Sequence, residues 1–328
     1  MKFNSMMITL TALCLAACGG GGGSDSPPPP GSGPSDSQRA EAARATAASA
    51  VNACAAVVPL YWEIGNRSAL LASGSISTAS GTAYNAASEM QIASATKWLF
   101  GAYVAEYRGG TLSAADVKFL NFRSGYSSFS ICLPGQTVDE CLARADNGAY
   151  TAATDGSFLY NGGHMQKLAG LVGLGALDNA SLASEMRRLL GTDIGLTFSR
   201  PQLAGGAVST AADYARFLRR LLDGRLRLGG MLGTQPVCTN PTTCASALGT
   251  PVPLTESWHY SLGHWVENDP ALGDGAFSSP GAFGFYPWID ATRNWYGILA
   301  REGAAGTGID SVNCGRLIRK AWVSASPQ

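Results

Sequence analysis

The sequence predicts an α+β, two-lobed protein: one antiparallel sheet flanked by N- and C-terminal helices, with a mainly helical lobe inserted. Three observations lead there. β-like runs occur early (59–65 and 69–74) and again late (258–266, 282–289 and 294–301); helix-like periodicity dominates between Ser94 and Leu222; and helical stretches at 38–56 and 310–323 flank the whole. Strands so distant in sequence can bury their apolar faces together only by sharing one sheet, which makes the intervening segment an insertion.

Composition narrows the classes. Hydrophobic residues make up 46% of the 328 and charged residues only 14%, below the roughly 25% usual for soluble domains. Formal net charge is +0, so there is no electrostatic footprint for nucleic acid and no polybasic segment for anionic lipid. The expected partners are small molecules or a cell-envelope substrate.

The first residues, MKFNSMMITLTALCLAAC, place a lysine before a short apolar stretch and small residues before Cys18. This is the pattern of a secretion signal, and the stretch is shorter than the roughly 20 apolar residues a membrane span needs. Leu15-Ala16-Ala17-Cys18 is similar to a bacterial lipobox, which implies acylation of Cys18; cleavage without a lipid would give a soluble secreted protein instead. Gly19 follows, rather than the aspartate linked to inner-membrane retention, so the expectation is an exported chain, lipid-anchored at the outer membrane and facing the periplasm or cell surface. Residues 19–37 are rich in Gly, Pro and Ser and read as a disordered tether to a folded domain at 38–328.

Within that domain, 38–56 is Ala-rich with few breakers and reads as a helix. Gly65-Asn66-Arg67-Ser68 separates the first two β-like runs as a hairpin turn would. Helices are expected at 95–107, 160–171, 182–190 and 211–222, joined by Gly- and Ser-rich loops, and the last at 310–323. Cys14 leaves with the signal and Cys18 would carry lipid, which leaves Cys54, Cys132, Cys141, Cys238, Cys244 and Cys314. Six cysteines allow 15 pairings; spacing favours Cys132 with Cys141 and Cys238 with Cys244 as local staples, and Cys54 with Cys314 across the domain ends. The histidines His164, His259 and His264 are scattered and suit no zinc site, so neither metal nor cofactor is expected.

Chemistry is carried first by Ser94-Ala95-Thr96-Lys97. A serine hydroxyl needs a nearby group to take its proton, and residues three apart at a helix start share a face. Alone, the pattern is also an ordinary capping serine with a surface lysine. Beyond Lys2, however, the lysines are only Lys97, Lys118, Lys167 and Lys320, and Lys97 sits against Trp98-Leu99-Phe100. A buried lysine loses proton affinity and becomes a base. Further along, Phe158-Leu159-Tyr160 precedes glycines and offers a phenol for proton relay. Trp98, Tyr126, Tyr286 and Trp288 lie near these stretches and are candidates to line a site, although most aromatics are core. His164 has no carboxylate at useful spacing and reads as structural.

In order and spacing, Ser94-Ala95-Thr96-Lys97, Phe158-Leu159-Tyr160, Gly205-Gly206-Ala207-Val208-Ser209-Thr210, Tyr260-Ser261-Leu262-Gly263 and Ser279-Pro280-Gly281-Ala282-Phe283-Gly284 resemble the serine β-lactamase-like and penicillin-binding-protein superfamily, on its class C β-lactamase, esterase and D-aminopeptidase branch. The resemblance runs from about Pro59 to Val323. It implies a β-lactamase/transpeptidase-like fold, with the sheet lobe at about 38–92 and 255–328 and the helical lobe at about 93–254. It further implies that Ser94 forms an acyl-enzyme, Lys97 is its proton partner and Tyr160 a further acid/base group. The backbone N–H groups of Ser94 and of Ala282, on the edge strand after the third motif, would form the oxyanion hole. Asn161, Gly162, Ser279 and Gly281 fall where the family contacts substrate. Two departures bear on the substrate: Tyr160-Asn161-Gly162 replaces the common Tyr-x-Asn, and Ser279-Pro280-Gly281 replaces Lys-Thr-Gly or His-x-Gly. Without a cation at 279 an obligatory carboxylate there loses its charged partner. The expected function is therefore an esterase-like serine hydrolase acting on an ester or amide. The alternatives are a penicillin-binding D,D-peptidase or class C-like β-lactamase, and a catalytically silent envelope-binding lipoprotein.

Overall fold

The computed structural model describes residues 33–304 and 306–328; the expected signal, the lipidation site Cys18 and most of the tether lie outside the described residues. Folded structure begins earlier than the composition predicts. Ser35 caps α1 (Asp36–Ala47) in a reciprocal pairing with Gln38, so the tether reading fails over its last residues, because Ser-x-x-Gln is itself a helix-start signal. α1 is also shorter than expected: Asn52 opens a separate 3₁₀ turn at Ala53–Val57 by accepting from the Cys54 N–H.

β1 (Leu60–Asn66) and β2 (Leu70–Ile76) form the expected hairpin, its turn closed by Asn66 Oδ1 accepting from the Ser68 and Ala69 amides. After a two-residue strand β3 (Met90–Gln91), a 3₁₀ turn at Ala93–Ala95 leads into α2 (Thr96–Tyr107), which is buried along most of its length. α3 (Ala114–Leu120) and α4 (Val138–Leu142) each start from a reciprocal cap, at Ser113 and Thr137. β4 (Phe158–Leu159) precedes α5 (Gly163–Leu171), and Asp178 caps α6 (Asn179–Leu190). β5 (Leu196–Phe198) and β6 (Ala207–Ser209) join β3 in a small antiparallel sheet, after which Thr210 caps α7 (Ala211–Leu222).

The remaining strands are β7 (Val237–Cys238), β8 (Ala247–Gly249), β9 (His259–Ser261), β10 (His264–Glu267), β11 (Ala276–Ser278), β12 (Tyr286–Ile289) and β13 (Trp295–Ala300), and the last element is α8 (Gly308–Ser324). The large sheet has the order β2-β1-β13-β12-β11-β10-β9-β7, antiparallel throughout, with Trp62 opposite Leu299 where the two ends of the sequence meet. It therefore takes in residues from 237 onward, earlier than the expected return at 255. The continuous run expected at 258–266 is two strands reversing at Leu262-Gly263, and 282–285 turns rather than extending.

α1 and α8 lie together, with Arg39 donating to the Trp322 and Val323 carbonyls. Disulfides join Cys54 to Cys314 and Cys132 to Cys141. The third expected pairing, Cys238 with Cys244, is not formed and both thiols are free. The turn between them is set by Asn240, whose side chain binds the Leu254 and Glu256 carbonyls and the Thr242 amide, while the Cys244 thiol lies 3.2 Å from Ser246 Oγ. The two thiols nevertheless lie beside each other: burial and the adjacent Cys244 thiol raise the Cys238 pKa, so the spacing brings the pair together without a bond between them. Among the described residues no helix is long and apolar enough to cross a membrane, and no group of His, Cys, Asp or Glu is arranged to hold a metal ion.

Candidate active site

Ser94 sits in the 3₁₀ turn before α2, and its backbone is pinned from several directions. Thr96 Oγ1 donates to the Ala93 carbonyl at 2.6 Å, Tyr214 Oη to the Ala95 carbonyl at 2.9 Å, and Ser279 Oγ to the Ser94 carbonyl at 3.0 Å. Ala93 has φ +44°, a left-handed conformation that costs a non-glycine residue about 1 kcal/mol. The turn that presents the serine is thus held in a strained shape by its neighbours.

Lys97 follows one helical step later. Its Nζ lies 2.9 Å from Ser94 Oγ, donates to the Ala204 carbonyl at 2.5 Å, and stands 4.8 Å from the centre of the Tyr160 ring. The Gly205-Gly206 loop thus serves to bring the Ala204 carbonyl to the lysine. Lys97 is buried, and burial pushes its pKa down to about 7, so a large fraction is neutral near neutral pH. No carboxylate pairs with it among the described residues. From the other side the β9–β10 turn presses on the same residue: Gly263 has φ +94°, and a Cβ there would lie 2.7 Å from the Lys97 carbonyl oxygen, so only glycine fits.

The Tyr160 side chain is half-buried at the edge of the cleft. Burial raises its pKa well above the ordinary value, and the neighbouring Ser94 hydroxyl and Trp265 indole offset part of that rise. It remains a protonated phenol, fit to donate rather than to abstract. Its ring stacks on Trp265 at 5.3 Å between centroids.

Two pockets open from Ser94. One, of about 200 Å³, is lined by Tyr160, Val252, Trp258, Trp265, Ile309 and Val312 among others. The second, of about 260 Å³, includes Lys97, Phe129, Ile131, Arg200, Gln202 and Phe283. Ser94 and Ala282 line both. Ala282 differs from expectation in position: it belongs to the turn between β11 and β12, and β11 is not an edge strand, since β10 continues the sheet beyond it. The turn is fixed by Gly281 N–H donating to the Phe285 carbonyl at 2.8 Å and Gly306 N–H to the Ala282 carbonyl at 3.0 Å, and the Ala282 N–H itself donates to no described backbone group. A side chain at Gly281 would strike the Ile92 carbonyl, so the close approach of this turn to the serine needs glycine.

The residues expected to contact substrate divide. Gly162 lines the second pocket and Gly281 the first. Asn161 lines neither: its Oδ1 accepts from the Gly163 amide at 2.9 Å and starts α5. Ser279 also lines neither; it is buried, and its hydroxyl donates to the Ser94 carbonyl. Trp98, Tyr286 and Trp288 are core residues, and Tyr126 packs against Phe119 and Tyr150. The indoles that do reach the cleft are Trp258 and Trp265, which sequence reasoning missed; the signal was available in the Tyr260-Ser261-Leu262-Gly263 reversal, which pairs Trp265 with Tyr260. His164 is buried, with Nδ1 2.7 Å from Ser124 Oγ and Nε2 3.1 Å from the Leu159 carbonyl oxygen; burial lowers its pKa to about 4, and it is a structural residue.

The fold so described is that of the β-lactamase and transpeptidase class. EstCE1, a hydrolase with promiscuous acyltransferase activity, superposes with a TM-score of 0.60 at 11% identity, over 88% of this chain and 99% of its own. The D-amino acid amidase of Ochrobactrum anthropi SV3, complexed with L-phenylalanine, gives 0.59 at 14%, over 84% and 97%. The octameric penicillin-binding protein homologue of Pyrococcus abyssi gives 0.59 at 14%, over 83% and 74%. No protein-family model matches the sequence, and no curated protein matches it. What is shared at such identities is the architecture.

Proposed function

We propose that the chain is a serine hydrolase of esterase type, cleaving an ester or amide through an acyl-enzyme on Ser94. One observation carries the reading: a buried lysine without a counter-charge, its pKa lowered to about 7, lies 2.9 Å from a serine hydroxyl at the junction of two pockets. Neutral Lys97 takes the Ser94 proton as Oγ adds to the carbonyl carbon. The N–H groups of Ser94 and Ala282 receive the oxyanion, a contribution of roughly 10²–10³ in rate for each donor. Tyr160 delivers a proton to the departing oxygen or nitrogen, and water, deprotonated by the same machinery, releases the acid and restores Ser94. No metal or cofactor enters this route. Small ester or amide substrates accord with the hydrolase and amidase among the similar folds.

Export and anchoring through Cys18 complete the proposal. They are supported by the apolar start of the sequence and by two disulfides, which form in oxidising compartments.

The test is intact-mass measurement of the domain lacking residues 1–33 after exposure to a fluorophosphonate and, separately, to a penicillin. A fluorophosphonate adduct on the wild type and none on Ser94→Ala is the expected result. A penicillin adduct at Ser94 would move the reading to cell-wall peptides or β-lactams. No adduct with either would leave a silent binding protein.

A further inference from the structure

The two pockets differ in chemistry, and that difference constrains the substrate. Tyr160 lines the first pocket and not the second. As the group that protonates what departs, it assigns the leaving alcohol or amine to the first pocket and the acyl part to the second. The first is walled by Pro251, Val252, Trp258, Trp265, Ile309 and Val312, with no charged side chain. The second holds Arg200 and Gln202 beside Phe129, Ile131 and Phe283, and no acidic side chain lines it. Among the described residues, neither the Arg200 guanidinium nor the Gln202 carboxamide makes a hydrogen bond or ion pair, whereas the other polar groups of this pocket are engaged. Gln91 is bound to Glu302, Ser130 to Asn147, and Lys97 to Ala204 and Ser94. Arg200 and Gln202 are both half-buried, so their donors have lost part of their water without gaining a partner. A guanidinium fork pairs best with a planar carboxylate.

Resting on the Ser94 acyl-enzyme reading, we infer that the substrate joins an apolar alcohol or amine to an acid bearing a second carboxylate, which Arg200 and Gln202 receive. The cation thus stands in the acyl pocket, away from position 279. The reaction balances as hydrolysis: the acyl carbon bonds to Ser94 Oγ as its bond to the alcohol oxygen breaks, the alcohol leaves with the proton from Tyr160, and water supplies the hydroxyl of the released diacid.

The experiment compares kcat/KM for monohexyl esters of succinic, glutaric and adipic acid with the hexyl ester of glutaramic acid, in which a neutral amide replaces the distal carboxylate, following hexanol release. A charged hydrogen bond at a half-exposed site predicts a preference of about 10- to 100-fold for the best half-ester over the amide. That ratio is expected to fall to within a few-fold of one in Arg200→Gln. In Arg200→Glu it should reverse in favour of hexyl 5-aminopentanoate. Because each is a ratio within one enzyme, partial misfolding cancels. A wild-type ratio of one or below at every diacid length, or a ratio unchanged in both variants, overturns the inference and leaves the Ser94 hydrolase standing, provided Ser94-dependent turnover is seen. A fluorophosphonate adduct without turnover of any of these esters overturns this inference alone. Absence of both adduct and turnover overturns the hydrolase reading with it.

Discussion

Lys97 and Glu267 are both buried ionisable side chains, and their surroundings drive them in opposite directions. Lys97 meets hydroxyl, carbonyl and aromatic groups but no carboxylate, and burial lowers its pKa to about 7. For Glu267, on β10, burial alone would raise the pKa, but the guanidiniums of Arg319 and Arg316 on α8 outweigh burial and hold it below the usual range. Tyr286 Oη donates to it at 2.6 Å, and Arg319 also reaches Asp274. A charge given partners stays a charge and fastens two elements. A charge denied them gives way to the neutral form. The fastening matters to the cleft, because Arg316 also binds Glu256 and stacks on Trp258, while Ile309 and Val312 at the start of the same helix wall the first pocket.

The sharpest break between the two regions is Ser94→Ala, expected to lower ester turnover by about 10⁴-fold or more with the melting temperature unchanged; turnover within ten-fold of wild type would remove Ser94 from the mechanism. Lys97→Met should cost about 10²–10⁴-fold in kcat/KM. It also separates function from stability. With a folded pKa near 7 and an ordinary value of 10.5, the unfolded chain binds more protons between those pH values. Wild-type stability therefore rises with pH across that window, and the variant's denaturation midpoints should lose that slope. For the same reason the wild-type pH–rate profile should fall on its acid side with an apparent pKa near 7; a flat profile from pH 5 to 9 would contradict a lysine base. Glu267→Gln should do the reverse of Lys97→Met, lowering stability by about 1.5–3 kcal/mol in urea titrations as Arg316 and Arg319 lose their shared buried partner while keeping Glu256 and Asp274, with turnover per folded molecule within a few-fold of wild type. Smallest is Ser279→Ala, which removes the hydrogen bond to the Ser94 carbonyl and should cost about 0.5–1.5 kcal/mol of stability and a few-fold in kcat.

What the sequence discloses and what it withholds follow the range of the interactions involved. Ser94 and Lys97 are legible because one helical step joins them, and the sheet is legible because alternation survives in short strands. Helix starts at Ser113, Thr137 and Asp178 are local hydrogen-bond patterns that a reader of the chain can find. The boundary of α1 was misplaced by composition when the capping pattern at Ser35 was the better guide. The local hydrogen bonds of Asn161 to the Gly163 amide and of Ser279 to the Ser94 carbonyl are not legible from family position, which says nothing about whether a side chain is engaged at home. The pocket walls were out of reach for another reason: Val252, Trp258, Ile309 and Arg200 come from separate segments, and only packing brings them to Ser94. Cys238 and Cys244 show the converse, since their spacing does bring the two thiols together and yet no bond joins them.

The seam between β1 and β13 sets an order of events. A chain emerging from its N-terminus presents Ser94 and Lys97 early, yet β1 has only β2 to pair with until residues 295–300 arrive. The Ala282 turn and the α8 wall of the first pocket come from the same late stretch. A chain ending before that point carries Ser94 and Lys97 without an enclosing cleft, so the cleft closes only once residues 295–312 can pack against the earlier strands.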